Sequence, residues 1–497
     1  MRVASVVITA LTLFIYTNYG WSKSYNDRPN VVVILADDMG YGDIQSLNPH
    51  SKIPTPNLDG LAKSGMRFID AHSPSAVCTP TRYGLVTGRY CWRTNLKRGV
   101  LNGYSKSLID PNRFTLADLF RNEGYRTGVI GKWHLGLNFA KSKKSPNKFD
   151  FSKPIGNSPN VNGFSHSEVI PASLDFPPYV WVKNDRIEQF PSANQSAIRF
   201  PGFLRKGERS PDFHAVKILD QIASKASDFI STSVEKSKPF FLYIPLTSPH
   251  KPVLPADRFV GKSGLGLYGD FIIQTDWTVG QILNAVKKNK IENNTIVIFT
   301  SDNGSFMYRK NFSETEDHVS DETIQAYNET NHRSNFIFRG TKADVFEGGH
   351  RVPFLVKWPG TVRGGSISER TTCHVDILAT LAEILNTKLE ESAADDSFSF
   401  LDDLLEKESK ALRPPVINHS ANGTFAIRYG SMKLILSEGS GGREKPSSKP
   451  FQGKWQLYDL NNDPREQVNL IDDFPQIAKK MESQFKEIQN GDYSRFR

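Results

Sequence analysis

The sequence predicts an α/β fold. It has a large, mostly parallel central sheet flanked by helices, and a smaller C-terminal antiparallel sheet plus helix. Near-continuous apolar and β-branched runs occur at Val31–Ala36, Arg126–Ile130, Phe240–Pro245, Thr295–Thr300 and Val352–Trp358. Amphipathic segments lie between them, at Thr115–Asn122, His214–Ser233, Phe271–Lys288 and Val375–Leu385. Runs that are apolar on both faces read as buried parallel strands, and the amphipathic segments as the helices that cross between them. From about Leu401 this alternation fades. Thr424–Ile427, Lys433–Leu436 and Trp455–Leu460 read as short antiparallel strands, and Ser437–Lys449 as a Gly/Ser/Lys-rich loop. Asp463–Leu470 then leads into a terminal amphipathic helix.

At the N-terminus, Met1-Arg2 precede an apolar run from Val3 to Tyr16. The run is too short for a membrane span and suits a signal-peptide h-region. Gly20 and Ser22 place small residues before Lys23, so residues 1–22 read as a signal peptide. The expected compartment is exported: secreted, periplasmic or lysosome-like, with no stable membrane insertion. Residues 23–400 form the predicted catalytic α/β domain and 401–497 the small domain. Hydrophobic residues at 38% and charged residues at 23% describe a globular chain rather than a disordered one. The 62 Lys+Arg against 53 Asp+Glu give a modest positive excess, compatible with a polyanionic substrate. No zinc-finger spacing, aromatic-rich RNA motif or basic helix points to nucleic acid. Three cysteines cannot build a disulfide framework, although Cys91 and Cys373 remain as a candidate pair.

Polar clusters follow four of the apolar runs, where ligands collect in parallel sheets. They are Asp37-Asp38, Gly131-Lys132-Trp133-His134-Leu135-Gly136, Ser248-Pro249-His250-Lys251-Pro252 and Ser301-Asp302-Asn303-Gly304. Asp37, Asp38, Asp302 and Asn303 offer oxygen ligands, which suit a hard divalent cation, Ca²⁺ more readily than Zn²⁺. Asn303 opens an Asn-Gly-Ser sequon, a poor glycan acceptor if it binds metal; other sequons start at Asn194, Asn311 and Asn328. The glycine-rich segment Arg339–Pro353 can project Lys342 as a cationic point.

The stretch Ser75–Gly88 contains a Cys-x-Pro-x-Arg pattern at the start of a short helix. Thr79 is the expected N-cap, Pro80 the first helical residue and Gly88 the terminator. Cys78 then lies just outside a helix N-terminus, where negative charge is favoured, with Arg82 about one turn on. A half-cystine or a small buried residue is the plain alternative for a lone Cys.

Taken together, these motifs resemble the arylsulfatase-type sulfatases of the alkaline phosphatase superfamily, from Pro29 to about Leu470. That family includes glycosaminoglycan 6-sulfatases and algal-polysaccharide sulfatases. The resemblance implies an alkaline-phosphatase-like fold and a formylglycine (3-oxoalanine) made from Cys78 by a formylglycine-generating enzyme, its hydrate attacking sulfur. Asp37, Asp38, Asp302 and Asn303, with residue 78, match the ligands of one Ca²⁺. Arg82 matches the residue supporting the formylglycine and the metal. Lys132, His250 and Lys342 match the groups that hold sulfate oxygens, and His134 the residue contacting the formylglycine hydroxyl. The implied activity is hydrolysis of sulfate monoesters on carbohydrates, of galactose or N-acetylgalactosamine 6-sulfate type or on algal polysaccharide such as ulvan. A phosphomonoesterase or phosphodiesterase of the superfamily would use Ser or Thr at position 78. An inactive glycan-binding relative would lack motif residues. The insertion from Asn138 to Phe213 is similar, around Pro171–Tyr179, to a string in polysaccharide-active sulfatases. His166, Asp175, Arg98 and His214 are the candidate sugar contacts.

Overall fold

The computed structural model describes residues 28–143, 145, 148–199, 202–307, 332–407 and 413–494. The expected leader, residues 1–22, and the sequons at Asn311 and Asn328 lie outside the described residues.

Five strands run parallel through the centre of a ten-stranded sheet. Asn30–Asp37 pairs with Phe240–Pro249 on one side and Thr295–Ser301 on the other; Arg126–Lys132 and His166–Ile170 follow beyond Phe240–Pro249. Side chains alternate between faces along a strand. Val32, Ile34 and Ala36 join the core that packs Ile218–Glu235 and Gly266–Lys288. Val31, Val33 and Leu35 join the opposite core, with Leu85, Phe120 and Leu381. Each fully buried Val, Ile or Leu contributes about 1.5–3 kcal/mol, which is why these runs take the middle of the sheet.

Four of the five apolar runs are central parallel strands as expected. The fifth is not: Phe354–Lys357 pairs antiparallel to Thr295–Ser301. Its chain enters from the carboxyl end of the sheet, where Gly349 accepts from the Gly304 N–H at 2.9 Å, so it can only run back down. The edges are also mixed, and His166–Ile170 is a central strand that the apolar-run pattern did not mark.

The helix Cys78–Thr87 is buried along its whole length. Gly88 ends it in the left-handed region (φ 62°), its N–H returning to the Gly84 carbonyl, as the glycine predicts. The start differs from expectation. Val77 is the N-cap, Cys78 is the first helical residue, and the Thr79 hydroxyl turns away to the His134 carbonyl at 3.0 Å.

The C-terminal sheet has four antiparallel strands: Val416–His419, Phe425–Tyr429, Met432–Ile435 and Gln456–Asp459. The helix Pro475–Asn490 buries Met481, Phe485 and Ile488 in a core shared with Leu434 and Leu457. Val416–His419 follows Pro414-Pro415 and is only four residues long, so it left no clear pattern in the sequence. It braces the segment entering Cys78. The His419 carbonyl accepts from the Ala76 N–H at 2.9 Å, and Asn418 Nδ2 donates to the Ser73 carbonyl at 2.7 Å. Cys78, Cys91 and Cys373 are all buried free thiols, so Cys91 and Cys373 do not pair. Among the described residues, no helix is long and apolar enough to cross a membrane.

A buried cation ties the small sheet to the main body. Lys433 Nζ lies 3.0 Å from Glu347 and 2.8 Å from Glu466, all three side chains fully buried. Replacing Lys433 with Ala strands two carboxylates without their shared charge. A loss of about 3–5 kcal/mol is expected in chemical denaturation, and an unchanged midpoint would show that the ammonium is dispensable.

Candidate active site

Adjacent strands in register bring the acidic clusters together. Ala36 pairs with Ser301, so Asp37-Asp38 and Asp302-Asn303 leave the sheet side by side. The Asp302 N–H donates to the Ala36 carbonyl at 3.0 Å and the His250 N–H to the Asp37 carbonyl at 2.9 Å, fixing a third strand end in the same place. Asp38 adopts a left-handed backbone (φ 65°), a strained conformation for a residue with a Cβ. It is held there by its N–H donating to Asp302 Oδ1 at 3.0 Å.

Three buried carboxylates in one spot need compensation, and three cations supply it. Lys132 Nζ is 2.6 Å from Asp37 Oδ2. Arg82 donates from Nη2 and Nε to Asp302 at 2.7 and 3.1 Å, and from Nη1 to the Lys132 carbonyl at 2.9 Å. Lys342 Nζ is 2.8 Å from Asp38 and 3.5 Å from Cys78 Sγ. The Lys342 N–H donates to the Ser305 carbonyl and the Ala343 N–H to the Ala76 carbonyl, seating the glycine-rich loop against the Cys78 segment. Cys78 Sγ itself is 3.6 Å from Asp37 Oδ1.

The electrostatics follow from burial and these pairs. Burial would raise Asp302, but Arg82, Lys132 and Lys342 outweigh it and hold the carboxyl well below the usual range. Asp37 is pushed up to about 7 by burial, against the pull of Lys132. Burial, with the Asp302 charge adding to it, lifts the Cys78 thiol well above the usual range, so the group is uncharged at neutral pH. His134 and His250 are both held far below the usual imidazole range by burial. Lys132 and Arg82 add to this at His134, and Lys342 and Lys132 at His250.

The donor set fits a hard divalent cation. Asp37, Asp38, Cys78 and His250 place potential ligand atoms within 4.8 Å of one another. Asn303 donates from Nδ2 to Asp38 Oδ1 at 2.7 Å, leaving its carbonyl oxygen buried with no protein partner. Anionic and amide oxygens dominate, a composition suited to Ca²⁺. A second group, His72, Glu347 and His350, also clusters, but Lys433 Nζ stands 3.1 Å from His350 Nε2 and already places positive charge there.

All ten expected catalytic and metal residues (Asp37, Asp38, Cys78, Arg82, Lys132, His134, His250, Asp302, Asn303 and Lys342) are buried around this point. One further side chain was missed. Ser173 Oγ accepts from Lys132 Nζ at 3.0 Å and lies 3.2 and 3.4 Å from the two ring nitrogens of His250. It follows the fifth parallel strand by three residues, so recognising His166–Ile170 as a strand would have found it.

The four sugar-contact candidates separate. His166 is paired with Gly128 whereas Ile170 is paired with Lys132, so His166 sits about 13 Å back along its strand, at the wrong end. Its ring packs on Phe229 and bonds Glu168, a structural arrangement that corrects the expectation. His214 is exposed, at the turn before Ile218–Glu235. Arg98 is exposed beside Gly99, whose N–H donates to Ala421, itself bonded to Ala343 next to Lys342. Asp175 is buried just past Ser173 and pairs with Arg205, whose guanidinium lies 4.1 Å over the Phe176 ring.

Comparison with known proteins agrees with this geometry. The sulfatase family model matches residues 29–387. An N-acetylgalactosamine-6-O-sulfatase of Bacteroides thetaiotaomicron is 34% identical over 501 residues, covering 92% of each chain. Bovine arylsulfatase A is 29% identical, covering 93% of this chain and 87% of its own. A Bacteroides thetaiotaomicron structure solved in work on the metabolism of multiple glycosaminoglycans superimposes with TM-score 0.81 at 32% identity, covering 94% of this chain and 100% of that one. A sulfatase from Pseudoalteromonas sp., 23% identical with TM-score 0.71, covers 94% of this chain and 93% of its own and shares the fold. The mixed sheet, its flanking helices and the small C-terminal sheet form the alkaline-phosphatase-like fold of these proteins. The chain belongs to the sulfatase family and is a sulfuric ester hydrolase.

Proposed function

We propose that this chain removes sulfate from sulfated carbohydrate with formylglycine at position 78 and one Ca²⁺ held by Asp37, Asp38, Asp302, Asn303 and residue 78. The observation that carries this is the set of groups gathered at Cys78: three buried carboxylates and an unpartnered amide oxygen, with Lys132, Lys342 and His250 among them. Bound Ca²⁺ would supply positive charge to the ester oxygens. The formylglycine hydrate would supply one hydroxyl to attack sulfur and a second for release of sulfate.

The chain's own residues do the rest. Asp37, Asp38 and Asp302 balance Arg82, Lys132 and Lys342 charge for charge, so a divalent cation leaves the pocket net positive and ready for an anion. Lys132 and Lys342, now paired to carboxylates, would turn their ammonium groups to the sulfate oxygens as charge develops. His250 Nδ1 faces the Lys251 carbonyl, which can only accept, so the hydrogen of the neutral ring is on Nδ1 and Nε2 is the proton-accepting nitrogen, with Ser173 Oγ 3.4 Å away. In the proposed reaction Nε2 would take the proton released by the attacking hydroxyl and pass it to the leaving alcohol. His134 would accept the proton from the second hydroxyl. Arg82 keeps Asp302 and the Lys132 carbonyl in place.

The first substrate class to test is galactose or N-acetylgalactosamine 6-sulfate, with algal polysaccharide such as ulvan second. The Bacteroides relative named for N-acetylgalactosamine-6-O-sulfate supports the first. Asp175 and Arg98 are the retained sugar-contact candidates. We read the protein as exported through residues 1–22, with residues 23–400 catalytic, residues 401–497 a separate bracing domain, and a formylglycine-generating enzyme as its partner.

Cys78→Ser is expected to lower turnover of an aryl sulfate by about 10³-fold or more, and a wild-type rate would overturn the mechanism. Mass spectrometry of the peptide carrying Cys78 should show the aldehyde; a free thiol in active enzyme refutes the modification. Exhaustive chelation should abolish activity and Ca²⁺ restore it, while full activity in the stripped protein removes the metal from the proposal. On defined oligosaccharides, desulfation at the 6-position is expected and aryl phosphate should be a far poorer substrate; a preference for phosphate would favour the phosphoesterase alternative.

A further inference from the structure

Three segments far apart in sequence meet in a closed ring of hydrogen bonds beside Cys78. The Thr79 hydroxyl donates to the His134 carbonyl at 3.0 Å. The Leu101 N–H donates to the same hydroxyl oxygen at 3.2 Å. His134 Nε2 and the Leu101 carbonyl, 2.8 Å apart, complete the ring. Thr79 is fully buried and His134 nearly so.

The proton positions follow from which groups can only accept. A carbonyl has no proton, so the Thr79 hydrogen must point at His134, and its lone pair is then free for the Leu101 N–H. The Leu101 carbonyl likewise accepts, so His134 carries its hydrogen on Nε2. That leaves Nδ1 as the lone-pair nitrogen, and it is buried without a protein partner. His134 also sits in the left-handed region (φ 54°), a strained conformation for a non-glycine residue that needs outside support. Its carbonyl, the group Thr79 holds, is part of that backbone.

We infer that Thr79 is a positioning residue: it fixes the backbone of His134 and holds Leu101, whose carbonyl sets the His134 tautomer, so that Nδ1 is presented as a proton acceptor. The inference rests on the reading of His134 as the base at residue 78. It explains why a hydroxyl stands at position 79. Its neighbour on the helix becomes the nucleophile, while Thr79 aligns the base that serves it. A purely structural role, in which Thr79 only ties two loops together, would affect stability but not the base.

Thr79→Val keeps the shape and removes the donor and acceptor, Thr79→Ser keeps both, and His134→Ala removes the base. Residue 78 conversion is measured by mass spectrometry for each full-length variant, and rates are taken per converted enzyme. T79V is expected to lose about 10- to 100-fold in kcat, the effect of one buried hydrogen bond, with KM changed less than about twofold. T79S should stay within about threefold of wild type, and T79V with H134A should be no slower than H134A alone. Wild-type kcat in T79V beside an impaired H134A overturns the inference, as does a double variant in which the two losses multiply. H134A at wild-type rate instead overturns the role of His134 itself, and this inference with it. ¹⁵N-histidine spectra of the unmutated protein offer an independent reading. The neutral Nε2–H form is expected for His134, and the Nδ1–H form refutes the inference.

Discussion

Compensation of buried charge is the constraint on which this structure depends. Asp37, Asp38 and Asp302 are at most 1% exposed and converge where two neighbouring strands end. In a medium of low polarity each isolated carboxylate would cost several kcal/mol, and together they would repel. Lys132, Arg82 and Lys342 arrive from three separate parts of the chain to meet them. On the proposed reading the cations that compensate these carboxylates would also meet a sulfate ester, so folding and substrate binding would draw on one charge set.

Some of the backbone strain in the fold lies at this pocket. Asp38, His134 and Ala343 all take left-handed backbones, each within one residue of a group facing the pocket or part of one. Such conformations persist where surrounding bonds over-determine them. Here the bonds come from Asp302, Thr79 and Asp37's neighbours in the sheet, and from the backbone contact of Ala343 to Ala76. The C-terminal sheet extends the same support. Val416–His419 grips Ser73–Ala76, and Lys433 reaches into the main body, so the approach to Cys78 is fixed from both sides.

Much of the site was legible because its chemistry is local. Asp37-Asp38 directly after an apolar run, Cys78 and Arg82 one turn apart, and Asp302-Asn303 after another run are all short patterns whose meaning depends on a strand end or a helix start. Val31–Ala36 and Thr295–Thr300 read correctly as interior strands because both faces are apolar. His166–Ile170 did not, because His166, Ser167 and Glu168 break the apolar run although the strand is central. Ser173 was lost with it.

The sequence alone determined the four apolar parallel strands, a short helix beginning near Cys78, the oxygen-rich polar clusters at the strand ends and the family. Those follow from apolar periodicity and from motifs only a few residues long. Tertiary structure decided the direction of Phe354–Lys357, the place of His166 behind the site, and the turn of Thr79 from helix cap to support for His134. Each of these depends on which distant segment lies alongside. Such contacts are set by the packing of the whole sheet and leave no trace in local spacing.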